Sequence, residues 1–232
     1  MQNTVDKPAL LRFYESSIGK KLITGMTGLG LALFVLIHMM GNLLMFVGHD
    51  AYNAYAYWLE RLGPLLWAVE LGLLAVVLVH AVTGIHIFWR RSQSRSVGYT
   101  TYASRGKPSM QSLSSRTMII TGVVLGSFLV THLLAFKFGT YYTTTLAGQE
   151  VRDIARLVVE KFQKPTYTFS YVGVMVLLGF HLRHGIWSAL QSLGAMAKSV
   201  RMTVYGLSLV VAGVIATGFL VLPLAIYVGL VS

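Results

Sequence analysis

Two of the seven histidines share a short motif inside long apolar segments of the sequence. His80 is followed by Gly84 and His181 by Gly185, so both stretches read His-x-x-x-Gly. In a helix the residue four positions further on lies one turn along the same face, and glycine leaves room there for a flat, bulky group. A haem held edge-on between helices would fit this motif. For either motif alone, helix packing through glycine, with the buried histidine as a hydrogen-bond donor, is the preferred explanation, and the case for haem depends on the other histidines.

The elements that carry these histidines are predicted to be transmembrane helices. The chain has 232 residues, 55% of them hydrophobic and 12% charged. Its long uncharged runs predict spans over 22–47, 64–89, 117–138, 168–190 and 203–230. The absence of cysteine excludes disulfides, thiolate-bound iron–sulfur clusters and covalent c-type haem. The polar N-terminal segment and the long first apolar run predict no cleavable signal peptide.

The heights of four histidines within these spans group them into two pairs. At about 1.5 Å per residue, His38 and His132 lie roughly 24 Å above the inner helix ends, and His80 and His181 roughly 15 Å. Imidazole is a good iron ligand, and facing helices of a bundle can supply both axial ligands. We therefore expect His38 and His132 to hold the iron of an outer haem, and His80 and His181 that of an inner haem. A proton relay is the alternative use of paired buried histidines.

Other histidines and polar residues complete the predicted sites. His184 is the alternative to His181 as iron ligand, and His181 is preferred because it aligns with His80 in the repeated motif. His49 and His86 are predicted not to ligate iron. The candidates to meet haem propionates are Arg183, Lys20, Lys21, Ser17 and Thr24. Anchoring at the inner membrane surface is the alternative for the two lysines. Glu70 is a carboxylate near the outer end of the second span, predicted either to pass protons for quinol chemistry or to pair with Arg61.

The distribution of basic residues predicts the orientation of the chain. The net charge of +11 is spread over loops between apolar runs, which indicates a membrane protein and no nucleic-acid partner. Basic residues with few acids beside them occupy the segments assigned to the inside: Lys7, Arg12, Lys20, Lys21, Arg90, Arg91, Arg95, Arg105, Lys107, Arg116, Lys198 and Arg201. The positive-inside rule then places the N-terminus inside and the C-terminus outside.

Two segments on the predicted outer side carry apolar or aromatic patterns. Apolar residues recur at helical spacing over 146–162, which predicts a helix on the outer membrane surface. The stretch 51–58 is rich in aromatic residues and is typical of an interfacial belt. Plain anchoring and contact with a ligand both remain open for these segments. The expected fold is an all-α integral membrane protein with one domain, 1–232, whose five-helix bundle encloses two stacked b haems.

With these features in place, the chain resembles the five-helix, two-haem cytochrome b membrane anchor of succinate dehydrogenases and quinol:fumarate reductases. The resemblance covers nearly the whole length. The stretches that carry it are Ser17-Ile18-Gly19-Lys20-Lys21, His38 with Gly41-Asn42, Tyr52-Asn53-Ala54-Tyr55-Ala56, His80-Ala81-Val82-Thr83-Gly84, His132-Leu133-Leu134-Ala135-Phe136-Lys137-Phe138-Gly139, and His181 with Gly185, Trp187-Ser188-Ala189-Leu190-Gln191-Ser192-Leu193-Gly194.

The resemblance implies a subunit of succinate:quinone oxidoreductase, located in the inner (cytoplasmic) membrane. An FAD-containing flavoprotein and an iron–sulfur subunit would dock on its inner face. Electrons would pass between the iron–sulfur subunit and a membrane quinone through two b haems, with menaquinone expected in preference to ubiquinone. In this family the inner haem is ligated from the second and fourth helices and the outer haem from the first and third.

Two other functions are compatible with the pattern. A cytochrome b subunit of a nitrate reductase or formate dehydrogenase also has four or five helices and paired histidines. The 52–56 stretch and the residues after His181 favour the succinate:quinone family over it. A membrane transporter without haem is the third possibility, although the sequence shows neither interrupted helices in corresponding halves nor an inverted repeat.

Overall fold

The chain folds largely into helices, five of which are long and apolar enough to cross a membrane in the part that the structure describes. A computed structural model describes residues 8–94, 117–195, 197 and 199–232. The five spans are Ser17–Phe46, Pro64–Gln93, Met118–Lys137, Pro165–Ser192 and Arg201–Tyr227. The predicted all-helical, multi-pass membrane architecture is confirmed at this level. Of the basic residues used to predict orientation, Lys7, Arg95, Arg105, Lys107, Arg116 and Lys198 lie outside the described residues.

The described residues form long helices, shorter helices and one hairpin. In chain order they are α1 (Ala9–Glu15), α2 (Ser17–Asn42) with a 3₁₀ turn (Leu43–Phe46), α3 (His49–Glu60), α4 (Pro64–Gln93), α5 (Met118–His132) with a π-helical turn (Leu133–Lys137), β1 (Thr143–Leu146), β2 (Gln149–Arg152), α6 (Ile154–Phe162), α7 (Pro165–Ser192) and α8 (Arg201–Tyr227). Within these residues, β1 and β2 pair as an antiparallel hairpin.

Local signals explain where several helices begin. The Ser16 hydroxyl accepts a hydrogen bond from the Gly19 amide at 2.9 Å and caps α2. Pro64 and Pro165 occupy the first turns of α4 and α7, where a missing amide hydrogen costs nothing. Because polar residues extend these helices past their apolar stretches, α2 begins five residues before the predicted 22, and α4 and α7 also exceed their predicted bounds.

The predicted helix over 146–162 is wrong in its first half. Residues 143–152 form the β1–β2 hairpin, whose turn has positive φ at Ala147 (51°) and Gly148 (78°). These angles match the two-residue turns that suit the twist of a hairpin. The helix begins only at Ile154, where the Asp153 side chain accepts a hydrogen bond from the Arg156 amide at 3.0 Å.

Helix α6 packs on the end of the bundle. Its Ala155, Val158 and Phe162 are buried against Met45 and Ile226, which belong to the first and last spans. The segment is therefore part of the folded core at this end, in addition to any contact with the membrane surface. The stretch 51–58, predicted only as an aromatic belt, belongs to helix α3.

The main core lies between α2, α7 and α8. Buried side chains from these three helices form one cluster: Ala32, Met39, Leu182, Ile186, Ala212 and Ile215. Helix α4 leaves most of its apolar surface exposed and buries only Thr83 fully. Exposed apolar surface of this extent is expected where a helix faces lipid. This arrangement leaves the inward-facing histidines between α2, α4, α5 and α7.

Candidate functional site

The imidazole rings of His80 and His181 face each other across the bundle. His80 lies on α4 and His181 on α7, and their ring centres are 6.4 Å apart with an angle of 69° between the planes. It is thus His181 whose ring faces His80, the arrangement expected from the shared motif. His184 lies three residues further along α7 and is half-buried.

Each of these rings also contacts a threonine and a glycine on a neighbouring helix. The Nδ1 atom of His80 is 3.2 Å from the Thr27 hydroxyl of α2. The Nδ1 atom of His181 is 3.0 Å from the Thr121 hydroxyl of α5. Gly28 and Gly122, which follow these threonines, lie directly against the two rings. None of these four residues was among the candidates predicted from the sequence, although the Thr-Gly dipeptide common to both is visible there.

His38 and His132 form the second pair. Their rings, carried by α2 and α5, have centres 5.8 Å apart and planes at 88°. Phe34 stacks on the His38 ring at 5.6 Å, and Phe219 contacts it at 6.0 Å. The Nδ1 atom of His132 is 3.3 Å from the Tyr171 hydroxyl. Both predicted pairs of histidines are therefore brought together by the fold.

An aromatic cluster leads from the second pair towards the hairpin end of the bundle. His132 contacts Phe136, Phe136 contacts Phe162, and Phe162 contacts Tyr171, with ring centres 5.0–5.8 Å apart. Phe136 lies in the π-helical turn that follows His132. Such turns are frequent at functional sites, because the inserted residue re-aims its neighbours.

The spacing of the rings matches the requirement for two axial ligands on one iron. Metal–imidazole bonds are about 2 Å long and the nitrogen lies roughly 1 Å from its ring centre, so two axial imidazoles have centres roughly 6 Å apart. The observed separations are 6.4 and 5.8 Å. Among the described residues there is no group of three or more His, Cys, Asp or Glu side chains that could hold a metal. A haem, which brings four nitrogen ligands of its own, needs only two.

The two glycines of the repeated motif adjoin open space. A Cβ atom added at Gly84 or Gly185 would meet no other atom within 4 Å. Both positions are only half-buried. Close helix packing through these two glycines, the alternative explanation of the motif, is therefore absent, and there is open space beside both of them.

Several buried polar atoms on the helices around His80 and His181 have no hydrogen-bond partner among the described residues. They are the hydroxyl oxygens of Thr24 and Thr83 and the Nε atom of Arg183. Thr83 is three residues from His80, and Arg183 two residues from His181. Unsatisfied buried polar atoms are costly, and each of these three could pair with a polar group of a ligand. Thr24 and Arg183 are among the residues predicted to meet propionates, and Thr83 is not.

The other predicted propionate contacts occupy different environments. Lys20 is only 3% exposed, and its ammonium donates to the Glu15 carbonyl at 3.1 Å. The Lys20 ammonium is therefore bonded within the chain at the start of α2. Lys21 and Ser17 are exposed at the start of α2. Arg183 additionally donates a hydrogen bond to the Tyr205 hydroxyl.

Glu70 pairs with a lysine of another span. Its carboxylate accepts a hydrogen bond from the ammonium of Lys137, and the two side chains are 31% and 35% exposed. Lys137 also lies 5.4 Å from the ring centre of Trp67. The predicted pairing of Glu70 with Arg61 is therefore wrong, because the partner of Glu70 is Lys137. The Arg61 guanidinium lies instead over the Tyr57 ring, 6.0 Å from its centre.

Fold and site together define a multi-pass helical membrane protein with two facing pairs of histidines between its helices. Searches against protein-family models, curated proteins and solved structures found no match to this chain.

Proposed function

We propose that this chain is the haem-carrying membrane anchor of a succinate:quinone oxidoreductase. In this role it passes electrons between an iron–sulfur subunit and a membrane quinone, and has no dicarboxylate site of its own. The proposal is carried by one observation: two pairs of histidines from four helices face each other at the separation that two axial ligands of one iron require.

Four histidines, facing each other in two pairs, are proposed to hold two b haems. His80 and His181 would ligate the inner iron, and His38 and His132 the outer iron. The open space at Gly84 and Gly185 would accommodate the inner macrocycle. Haem supplies reversible one-electron oxidation and reduction of iron when bound. Thr24, Thr83 and Arg183 would bind its polar groups, which would satisfy their unpartnered atoms.

The outer end of the bundle fits a site for quinone chemistry. Reduction of a quinone takes up protons as well as electrons, and Glu70 is a carboxylate at this end of α4. Its pairing with Lys137 holds the carboxylate at the point where the π-helical turn follows the outer pair. Menaquinone is proposed in preference to ubiquinone. This assignment rests on the family resemblance.

The resemblance also provides the proposed partners and orientation. A flavoprotein carrying FAD and an iron–sulfur subunit would bind the inner face, and the N-terminus would be cytoplasmic and the C-terminus outside. In this arrangement, the haem held by His80 and His181 would exchange electrons with the soluble subunits. The haem held by His38 and His132 would exchange electrons with the quinone.

Optical spectroscopy tests the proposal directly. The chain is expressed in its host membrane with its neighbours, purified in mild detergent, and scanned oxidised and dithionite-reduced, with haem counted by extraction into alkaline pyridine. We expect a Soret band, reduced b-type bands and two haems for each chain. A folded, membrane-inserted preparation without Soret absorbance would eliminate the haem proposal and favour a transporter.

The identity of co-purifying proteins separates the two kinds of respiratory cytochrome b. We expect a covalent flavin or tightly bound FAD subunit and an iron–sulfur subunit, together with succinate-dependent reduction of the haems. Haem-positive preparations that contain a molybdenum subunit and respond to nitrate or formate would instead assign the chain to the alternative class.

A further inference from the structure

We propose that two Thr-Gly dipeptides, Thr27-Gly28 on α2 and Thr121-Gly122 on α5, orient the inner histidines. Each dipeptide contacts the imidazole ring of a histidine from an adjacent helix through its threonine and its glycine. We call one such dipeptide, with its two contacts, a Thr-Gly seat. The seat leaves the Nε2 atom of each ring as the atom that binds iron. This inference rests on the proposed haem function and deepens it, because it assigns positioning residues to one of the two haems.

The glycine of each seat allows the ring to approach the neighbouring helix closely. A Cβ atom added at Gly28 would lie 3.0 Å from Cε1 and 3.5 Å from Nδ1 of His80. A Cβ atom at Gly122 would lie 3.4 Å from Cε1 of His181. In both seats the Cε1 atom of the ring faces the glycine. Any larger residue at Gly28 would therefore push its histidine away from the backbone of α2.

The threonine of each seat determines which ring nitrogen carries the hydrogen. The Thr27 hydroxyl donates its only hydrogen within α2, where the Ile23 carbonyl is 2.7 Å away. The Thr121 hydroxyl does the same within α5, with the carbonyls of Thr117 and Met118 both at 3.1 Å. A hydroxyl whose hydrogen is used in this way can only accept from imidazole.

In this arrangement Nδ1 of His80 and of His181 is the protonated nitrogen, which leaves the free lone pair on Nε2. A hydrogen bond from the second ring nitrogen holds a ligating histidine in its tautomer and raises its basicity. The same arrangement occurs twice, on different helices, around the two histidines that face each other. Recurrence at both members of one pair favours a shared role in ligation over incidental packing.

The outer pair lacks this arrangement in the described structure. His132 contacts the Tyr171 hydroxyl, which makes no second hydrogen bond among the described residues, so this phenol can donate to Nδ1 as well as accept from it. His38 is packed between the rings of Phe34 and Phe219. More basic ligands stabilise ferric iron, so the seats are expected to lower the potential of the inner haem selectively.

Potentiometric titration of the purified complex, followed optically, tests the seats. Thr27→Val and Thr121→Val keep the shape of the side chain and remove the acceptor. For each we expect the equilibrium constant for reduction of the inner haem to rise about tenfold, which corresponds to about 59 mV for a one-electron couple. The outer haem should be unchanged. Thr27→Ser and Thr121→Ser, which retain the hydroxyl, should restore the original value.

Matched controls separate the seats from general effects of substitution. Thr131→Val removes a hydroxyl of α5 that bonds only its own helix, to the Phe128 carbonyl at 2.9 Å, and should leave the inner potential unchanged. Gly28→Ala should lower inner haem content about tenfold, the lower end of the effect of losing a supporting contact. Gly30→Ala, on the same helix but with nothing within 4 Å, should not.

The outcomes are distinguishable from failure of the haem proposal. A wild-type protein without haem overturns the proposed function. A wild type with two haems, combined with valine variants whose inner potential is unaltered, overturns the seats alone. If a valine variant fails to incorporate the inner haem, its serine variant decides: recovery supports the seat, and equal loss in both assigns the threonine to packing and overturns the inference.

Discussion

The buried carboxamide of Asn53 binds the Asp153 side chain, 100 residues further along the chain. Its Nδ2 atom donates to Asp153 Oδ1 at 2.9 Å, and its Oδ1 atom accepts from the Ala155 amide at 3.0 Å. Asp153 simultaneously caps α6. One side chain thus joins α3 to the start of α6 and closes the hairpin end of the bundle.

Replacement of Asn53 by alanine should therefore destabilise the fold. Asn53 is only 2% exposed, so its loss leaves the Ala155 amide without its partner in a buried position. We expect the free energy of unfolding to fall by about 1–3 kcal/mol, measured by SDS titration in detergent micelles. Tyr57→Phe, which removes an exposed hydrogen bond to Gln149, should change it by less than about 0.5 kcal/mol. Equal effects of the two substitutions would contradict the role assigned to Asn53.

Close contact between α2 and α8 at Gly218 leads to a packing prediction. A Cβ atom at Gly218 would overlap Sδ of Met39, a core residue with 5% exposure. Gly218→Ala should overfill this contact and lower the free energy of unfolding by about 1–3 kcal/mol. Gly213→Ala on the same helix meets nothing within 4 Å and should be neutral or stabilising by up to about 1 kcal/mol. Thermal unfolding of the two variants, measured side by side, tests this prediction. A Gly218→Ala variant at least as stable as the Gly213→Ala variant would show that this contact is unimportant.

The choice between two histidines of α7 gives a spectroscopic prediction. Because the His181 ring faces His80, His181→Ala should remove the inner haem and halve the haem content of each chain. His184→Ala should leave the reduced-minus-oxidised spectrum nearly unchanged. Haem extraction and low-temperature optical spectra of both variants provide the measurement. Loss of a haem in the His184 variant alone would show that the ligand on α7 has been assigned to the wrong histidine.

The stability of the hairpin end should depend on pH through the hydrogen bond between Tyr142 and Glu160. The Tyr142 hydroxyl donates to Glu160 Oε2 at 2.6 Å. This hydrogen bond raises the pKa of Tyr142 above its ordinary value of 10.0 and lowers the pKa of Glu160 below 4.5. The lowered pKa stabilises the fold above the ordinary glutamate value, and this contribution disappears as the pH falls through the pKa of folded Glu160. The raised pKa acts oppositely: its contribution is present below pH 10.0 and is lost as the pH rises through the pKa of folded Tyr142.

We therefore expect amide protection in α6 to be highest at pH values between the pKa of folded Glu160 and the pKa of folded Tyr142, and to decline at lower and higher pH. Hydrogen exchange followed by mass spectrometry measures this profile. Tyr142→Phe should flatten it by abolishing the hydrogen bond, whereas Tyr141→Phe at the neighbouring exposed position should retain it. An unchanged profile in Tyr142→Phe would exclude this pair as its source.

Local sequence patterns were sufficient for the spans but not for the hairpin. The five apolar runs are continuous, and a span must satisfy its backbone hydrogen bonds internally, so hydropathy alone predicts these helices. Over 146–162 the apolar spacing fits a helix, yet Ala147 and Gly148 form a turn. The spacing did not reveal this turn because its geometry depends on strand pairing between β1 and β2. Pairing of Glu70 with Lys137 was missed for a similar reason, since the partners lie on different spans.

The sequence by itself determined that the chain crosses a membrane and that its histidines occur at two heights, because height follows from counting residues along a helix. Which side chains meet at each height was decided only by the tertiary structure. The Thr-Gly seats, the open space beside Gly84 and the ion pair of Glu70 all depend on the rotation of each helix about its axis. That rotation is set by packing among α2, α4, α5, α7 and α8. Because these helices are apolar on all sides, the sequence does not show which face of each one points into the bundle.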